Sequence, residues 1–130
     1  MLMRRSTRQR QAVREVFEEG DRPLGTLEIL DAARKYVPQI GIATIYRTVN
    51  LFLEEGYLVP VEIPGEPPRY ELSGKGHHHH FFCRMCRKLF VIEQCRGDFH
   101  ELTPPGFVLE EHILILSGKC VDCRGKKPIL

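Results

Sequence analysis

Cys83-Arg-Met-Cys86 and Cys120-Val-Asp-Cys123 form two Cys-x-x-Cys pairs, and four consecutive histidines, His77 to His80, run directly into the first. Four thiolates arriving as two pairs can complete an all-sulfur tetrahedron, the usual ligand set of structural zinc. The pairs lie further apart than in a compact zinc ribbon, so each is expected to cap a different strand or helix of one small domain. Turn-like residues separate the thiols within each pair, unlike the strand-then-helix setting of a thioredoxin-type dithiol. Cys95, the fifth cysteine, has no partner by spacing and is expected to act as a small buried hydrophobe.

In an extended segment successive side chains point to opposite faces, which puts His77 and His79 on one face and His78 and His80 on the other. Four imidazoles in a row can therefore serve two different sites. The run is internal and fused to a thiol pair, whereas a purification tag would sit at a terminus. Neither His-Glu-x-x-His nor His-x-Glu with Pro-Cys-x-x-Cys occurs, so the histidines do not read as the centre of a metallohydrolase or deaminase. The chain is expected not to be an enzyme.

Elements must position these ligands, and 130 residues allow one domain, or two small ones that draw stability from metal and dimerisation. Met1-Leu2-Met3-Arg4-Arg5-Ser6 has no apolar signal core, and no segment approaches membrane-spanning length. The expectation is a cytoplasmic chain with reduced thiols and no membrane partner. A formal charge of +2 is too small to imply a polyanionic partner. Locally, however, Arg4, Arg5, Arg8, Arg10 and Arg14 all precede the first acidic residue, Glu15.

Ser6-Thr-Arg-Gln9 reads as a capping box, and Ala12, Val13, Val16 and Phe17 make an apolar stripe along a first helix that Gly20 ends. A second helix after Thr26 is expected to turn Leu27, Leu30, Ala33 and Val37 inward and to stop before Pro38. A third opens after Gly41, buries Ile45, Val49, Phe52 and Leu53, and ends at Gly56. The period then changes to 2. Leu58, Val59, Val61 and Ile63 lead into the turn Pro64-Gly-Glu-Pro-Pro68, and Tyr70 and Leu72 return, which predicts a hairpin. Three helices followed by a hairpin make a winged helix. On the third helix Ala43, Tyr46, Arg47 and Asn50 fall opposite the buried stripe, the face a recognition helix presents to the major groove. Arg47 can reach phosphate or guanine, and the Tyr46 ring can meet a thymine methyl.

Ser73-Gly-Lys-Gly76 interrupts the apolar pattern as a flexible joint. Beyond it, Phe81-Phe82, Leu89 to Ile92, Phe107 to Leu109 and Ile113 to Leu116 are predicted strands, with a short helix over Cys95 to Leu102 before Pro104-Pro105. The fold class is α+β: an N-terminal winged helix over 1–73, a hinge at 74–76, and a small C-terminal α/β domain over 77–130 with the thiol pairs at its edges.

The basic first helix, Gly41-Ile-Ala-Thr-Ile-Tyr-Arg47, Tyr70-Glu-Leu72, the histidines leading into Cys83-x-x-Cys86, and His112 ahead of Cys120-x-x-Cys123 together resemble the ferric uptake regulator family of metal-dependent transcription factors. The resemblance covers nearly the whole chain. It implies a homodimer whose winged helix binds a double-stranded DNA operator and whose C-terminal domain dimerises, with a regulatory metal adjusting their orientation. DNA contacts would fall to Arg8, Arg10, Ala43, Thr44, Tyr46, Arg47 and Asn50, and structural zinc to Cys83, Cys86, Cys120 and Cys123. A hinge site would use Glu71, His78 and His80. A second metal site would use His77, His79, His112 and a carboxylate from the short helix, Asp98 or Glu101. The expected outcome is repression of metal-uptake and homeostasis genes; the alternative is a zinc-stabilised winged-helix protein-interaction module without metal-switched DNA binding.

The chain departs from the family's patterns at the hinge. Leu24 stands where the iron-type pattern has a histidine, and Ser73 where the zinc-type pattern has a cysteine. Gly76 to His80 resembles zinc-sensing relatives, Glu71 matches the iron-type branch, and Glu62 is a possible substitute ligand. Imidazole and carboxylate suit Zn(II), Fe(II), Mn(II) and Ni(II) alike, so the regulatory cation stays open at this point.

Overall fold

The computed structural model describes residues 4–95 and 97–127. Met1 to Met3 at the start of the basic arm, Arg96 within the expected short helix, and residues 128–130 lie outside the described residues. The chain divides into two compact units, Met1–Lys75 and Gly76–Leu130.

The first unit opens with α1 (Arg5–Glu19), which buries Ala12, Val13, Val16 and Phe17. Its N-cap is Arg4, with no side-chain cap. The expected Ser6 capping box does not form, because the helix starts at Arg5 and places Ser6 inside its first turn, where the extended backbone of a cap is lost. The second helix, α2 (Thr26–Ala33), is shorter than expected; Ala33 is buried and Leu30 and Val37 pack half-buried against the core as expected, but Leu27 is 72% exposed and Ile29 is buried instead. Ile29 and Ala33 are one i,i+4 step apart, so burying them carries Leu27 round to the outside. Glu28 accepts a hydrogen bond from the Gly25 N–H at 3.2 Å, closing the start of this helix.

Helix α3 (Ile42–Glu54) buries Ile45, Thr48, Val49 and Phe52, with Leu53 only partly covered. Its end is a Schellman motif. The Tyr57 N–H reaches the Phe52 carbonyl at 2.9 Å, the Gly56 N–H reaches the Leu53 carbonyl at 3.2 Å, and Gly56 adopts φ +75°. The hydrophobic contact that accompanies such a motif is present as an edge-on Phe52–Tyr57 pair, ring centroids 5.0 Å apart. This stop aims the chain into β1 (Leu58–Val61), which pairs antiparallel with β2 (Arg69–Leu72) from Leu58↔Leu72 to Val61↔Arg69. Leu24 bridges Tyr70 with two backbone hydrogen bonds of 2.9 and 2.8 Å, extending the wing by one rung. The buried Arg69 holds the hairpin turn through the Pro67 carbonyl and Glu66.

In the second unit β3 (His79–Cys83) is central, between β4 (Leu89–Ile92) antiparallel and β5 (Ile115–Gly118) parallel. Register runs His79↔Ile92 on one side and His80↔Ile115 on the other. A 3-10 turn over Phe99–Leu102 replaces the longer helix expected from Cys95. Phe107 to Leu109 is not a strand: among the described residues these pair with no strand, and Phe107 and Val108 are exposed. The final strand begins at Ile115 rather than Ile113.

The inward face of α2 is testable. Ile29→Ala should lower the unfolding free energy by about 2–5 kcal/mol and Leu27→Ala by less than about 0.5 kcal/mol, read by urea denaturation. Equal losses would contradict the observed face.

Candidate metal centres

Strand β3 ends at Cys83, a turn over 84–86 carries Cys86 back beside it, and the turn after β5 supplies Cys120 and Cys123. The four sulfurs lie within 4.8 Å of one another. A tetrahedron with metal–sulfur bonds of about 2.3 Å has edges of about 3.8 Å, and Cys86 Sγ and Cys120 Sγ are 3.8 Å apart. The backbone is oriented for thiolate: the N–H groups of Cys86 and Cys120 each donate to Cys83 Sγ at 3.4 Å. Arg87, just past the first pair, takes the left-handed φ of 62° that closes this turn. Burial raises the Cys83 thiol, but these amide donors outweigh it and hold the group down at about 6. Burial together with the neighbouring sulfurs pushes Cys123 up to about 12. Packed sulfurs cannot all carry charge without a cation, and a structural zinc would supply it. The cluster could hold that ion.

A second cluster gathers around His112. His77 Nε2 and Cys95 Sγ each lie 3.1 Å from His112 Nε2, and the ligand atoms of His77, His79, Cys95 and His112 are all within 4.8 Å. His79 is 3% exposed, and its Nε2 has no hydrogen-bond partner. Burial first, and then His77, His112, His78 and His80, lower the pKa of His79, favouring the neutral imidazole that ligates metal. Phe99 packs on His112 with centroids 4.5 Å apart.

The carboxylate expected here is not in this cluster. Asp98 and Glu101 are exposed, and Asp98 accepts from the His100 N–H at 3.1 Å as cap of the 3-10 turn. Cys95 occupies the cluster instead, and the expectation of a buried hydrophobe is corrected: it is half-buried with its sulfur against an imidazole. The available signal was its type and place, a soft ligand between the histidine run and His112 with no Cys-x-x-Cys partner.

The histidine rings sort by alternation, His77 with His79 at 4.5 Å and His78 with His80 at 4.9 Å. Glu71 is buried on β2, with Lys75 Nζ 3.8 Å from its carboxylate. Leu24 belongs to the apolar core of the first unit, and Ser73 donates to the Gly56 carbonyl below α3. Glu62 is exposed beyond β1. On α3, Ala43, Tyr46, Arg47 and Asn50 are exposed, while Thr44 is half-buried and accepts from Arg47 Nη2 at 3.2 Å. Arg8 is exposed and Arg10 half-buried on α1. Arg14 is turned inward, its guanidinium 4.9 Å from the Phe52 ring centroid.

A winged helix joined to a small unit rich in divalent-metal ligands is the class of protein that this fold and these clusters define. The chain belongs to the ferric uptake regulator family, whose profile matches residues 3–116. Members of the family are metal-sensing transcriptional regulators, not enzymes. The chain is 35% identical over 91 residues to the ferric uptake regulation protein of Campylobacter jejuni, a match covering 68% of this chain and 58% of that protein. It is 30% identical over 128 residues to the ferric uptake regulation protein of Bacillus subtilis, covering 93% of this chain and 86% of that one. Among solved structures, a zinc-bound manganese uptake regulator superposes with a TM-score of 0.75 at 25% identity, over 93% of this chain and 92% of its own.

Zinc uptake by the thiol cluster should release protons, because a coordinated thiol is deprotonated. With Cys123 protonated until about 12, at least one proton is displaced at neutral pH. Apparent zinc affinity should rise at least about tenfold per pH unit across neutrality, measured by chelator competition; a flat profile would exclude the thiol cluster as the zinc site. Cys83→Ser should release the zinc and unfold the second unit, and a stable zinc-free fold of that variant would count against a structural role.

Proposed function

We propose that the chain is a metal-responsive, DNA-binding transcriptional repressor of metal-uptake and metal-homeostasis genes, acting as a cytoplasmic homodimer. The observation that carries this reading is the pairing, in one chain of this family, of an exposed polar face on α3 with two ready-made ligand clusters. Arg8, Arg10, Ala43, Thr44, Tyr46, Arg47 and Asn50 contact the operator. Two copies of α3 read half-sites about one helical turn or a multiple apart.

Structural zinc sits on Cys83, Cys86, Cys120 and Cys123 and maintains the second unit. The exposed apolar side chains Leu102, Phe107, Val108 and Ile113 support dimerisation through that unit, where a second copy would cover them. The region 1–73 binds DNA, 74–76 is the hinge, and 77–130 dimerises.

The regulatory cation, zinc, iron(II) or manganese(II), is taken by Glu71, His78 and His80. The resemblance supports this assignment, as does the pairing of the His78 and His80 rings apart from those of His77 and His79. Ligation across the hinge selects one spacing of the two recognition helices. Moving the DNA-competent form from 1% to 99% requires the cation to favour it by about 5.5 kcal/mol, an amount within reach of ligand bonds made in one orientation only. The three residues orient and hold the cation; the DNA contacts come from α1 and α3.

The test is fluorescence anisotropy on a palindromic operator titrated with each cation. Metal should raise affinity at least about tenfold, the affinity should fall steeply with salt as phosphate contacts require, and the His78→Ala/His80→Ala double variant should lose the metal response while remaining a dimer. Metal bound with no change in DNA affinity would replace the reading with a zinc-stabilised interaction module.

A further inference from the structure

The cluster at His112 differs in kind from the carboxylate–imidazole site that the family resemblance implies. Its fourth donor is sulfur. Cys95 stands just beyond β4, its Sγ 3.1 Å from His112 Nε2, and that nitrogen is in turn 3.1 Å from His77 Nε2. Three donors converging on one nitrogen's surroundings could be a hydrogen-bond chain, but the fourth group does not fit such a chain. His79 is almost wholly buried on the central strand, its Nε2 makes no hydrogen bond, and one of its ring nitrogens lies within 4.8 Å of the other three ligand atoms. Leaving a polar atom unpaired in that position is unfavourable unless a cation completes it.

The distances are somewhat shorter than those of a small four-coordinate centre: the Cys95 Sγ–His112 Nε2 separation of 3.1 Å stands against a tetrahedral sulfur–nitrogen edge of about 3.6 Å. Metal–nitrogen bonds of about 2.0–2.1 Å set tetrahedral N···N edges at about 3.3–3.4 Å, a few tenths of an ångström from the His77–His112 separation of 3.1 Å. The carboxylates that would harden the site are exposed, and Asp98 is engaged with the His100 amide. Phe99 stacks on His112 and supplies an apolar wall.

We propose that Cys95 is the thiolate ligand of a four-coordinate centre completed by His77, His79 and His112, and that this set of three imidazole nitrogens and one sulfur takes zinc in preference to manganese(II) or iron(II). On binding, a metal–sulfur bond forms as the thiol proton leaves to solvent, and the cation's charge is offset by one thiolate. Thiolate and imidazole together suit zinc and its tetrahedral stand-in cobalt(II), whereas manganese(II) favours oxygen-rich, six-coordinate surroundings. This centre is separate from the Glu71, His78 and His80 site proposed above; its test contains no DNA, so it fails or succeeds independently of that function.

The experiment uses the full chain carrying one zinc in the Cys83/Cys86/Cys120/Cys123 cluster, with cobalt(II) added and zinc release followed in parallel. Besides any cobalt(II) taken at Glu71, His78 and His80, the wild type should bind one cobalt(II) at this centre, with sulfur-to-cobalt charge transfer in the near ultraviolet and the visible bands of tetrahedral coordination, and without zinc release. Cys95→Ala should lose the charge-transfer band and weaken cobalt(II) binding at least about tenfold. Cys95→Asp should recover binding without the band and bring manganese(II) affinity closer to zinc. A charge-transfer band that persists in Cys95→Ala, or a wild type that takes up no cobalt(II) beyond the thiol cluster, would overturn the assignment. So would manganese(II) that displaces the charge-transfer cobalt(II) as readily as zinc does.

Discussion

A polar atom buried without a partner costs about 1–3 kcal/mol, and the second unit places one, Nε2 of His79, on its central strand. The strand cannot turn to relieve it. Hydrogen bonding to β4 on one edge and β5 on the other holds its register, and a slip of one residue would exchange the roles of His79 and His80 and reverse every side chain. Alternation along this short strand therefore assigns His79 to one face and His80 to the other, and the strand ends on Cys83, the most embedded thiol of the sulfur cluster. Both candidate ligand clusters depend on the placement of one strand.

The two units are stabilised by different means. The first has a continuous apolar core in which Val13, Ile29, Ile45 and Phe52 are fully covered, and its helix ends and wing turn are closed by hydrogen bonds of its own. Among the described residues of the second, Phe82, Leu89 and two cysteine side chains make up the buried apolar set. So small a core leaves little stabilisation to set against chain entropy, which is the usual reason small domains carry a structural metal. Cys83, with two amides donating to its sulfur, shows how the backbone is shaped toward that role.

Local rules made much of this legible in the sequence. The α3 stripe, the Gly56 stop and the change of period at Leu58 each depend on neighbouring residues, so the winged helix could be read directly. What failed depended on register or on distant partners. Leu27 and Ile29 are both apolar, and only packing of α2 on its neighbours chooses between them. Phe107 to Leu109 has the composition of a strand but no partner edge among the described residues. Cys95 is not legible as a ligand because spacing reveals pairs and not a donor brought from a loop to an imidazole on another segment. The carboxylates at Asp98 and Glu101 had the right chemistry, but the 3-10 turn leaves them facing solvent.

On the function proposed above, ligands more than apolar burial maintain the second unit. Hydrogen exchange of the backbone amides from His80 to Cys83, followed by mass spectrometry before and after zinc is stripped by a chelator, tests this directly. The account predicts that these amides lose most of their protection on chelation while α1, α2 and α3 keep theirs. Unchanged protection of β3 in the metal-free chain would contradict it.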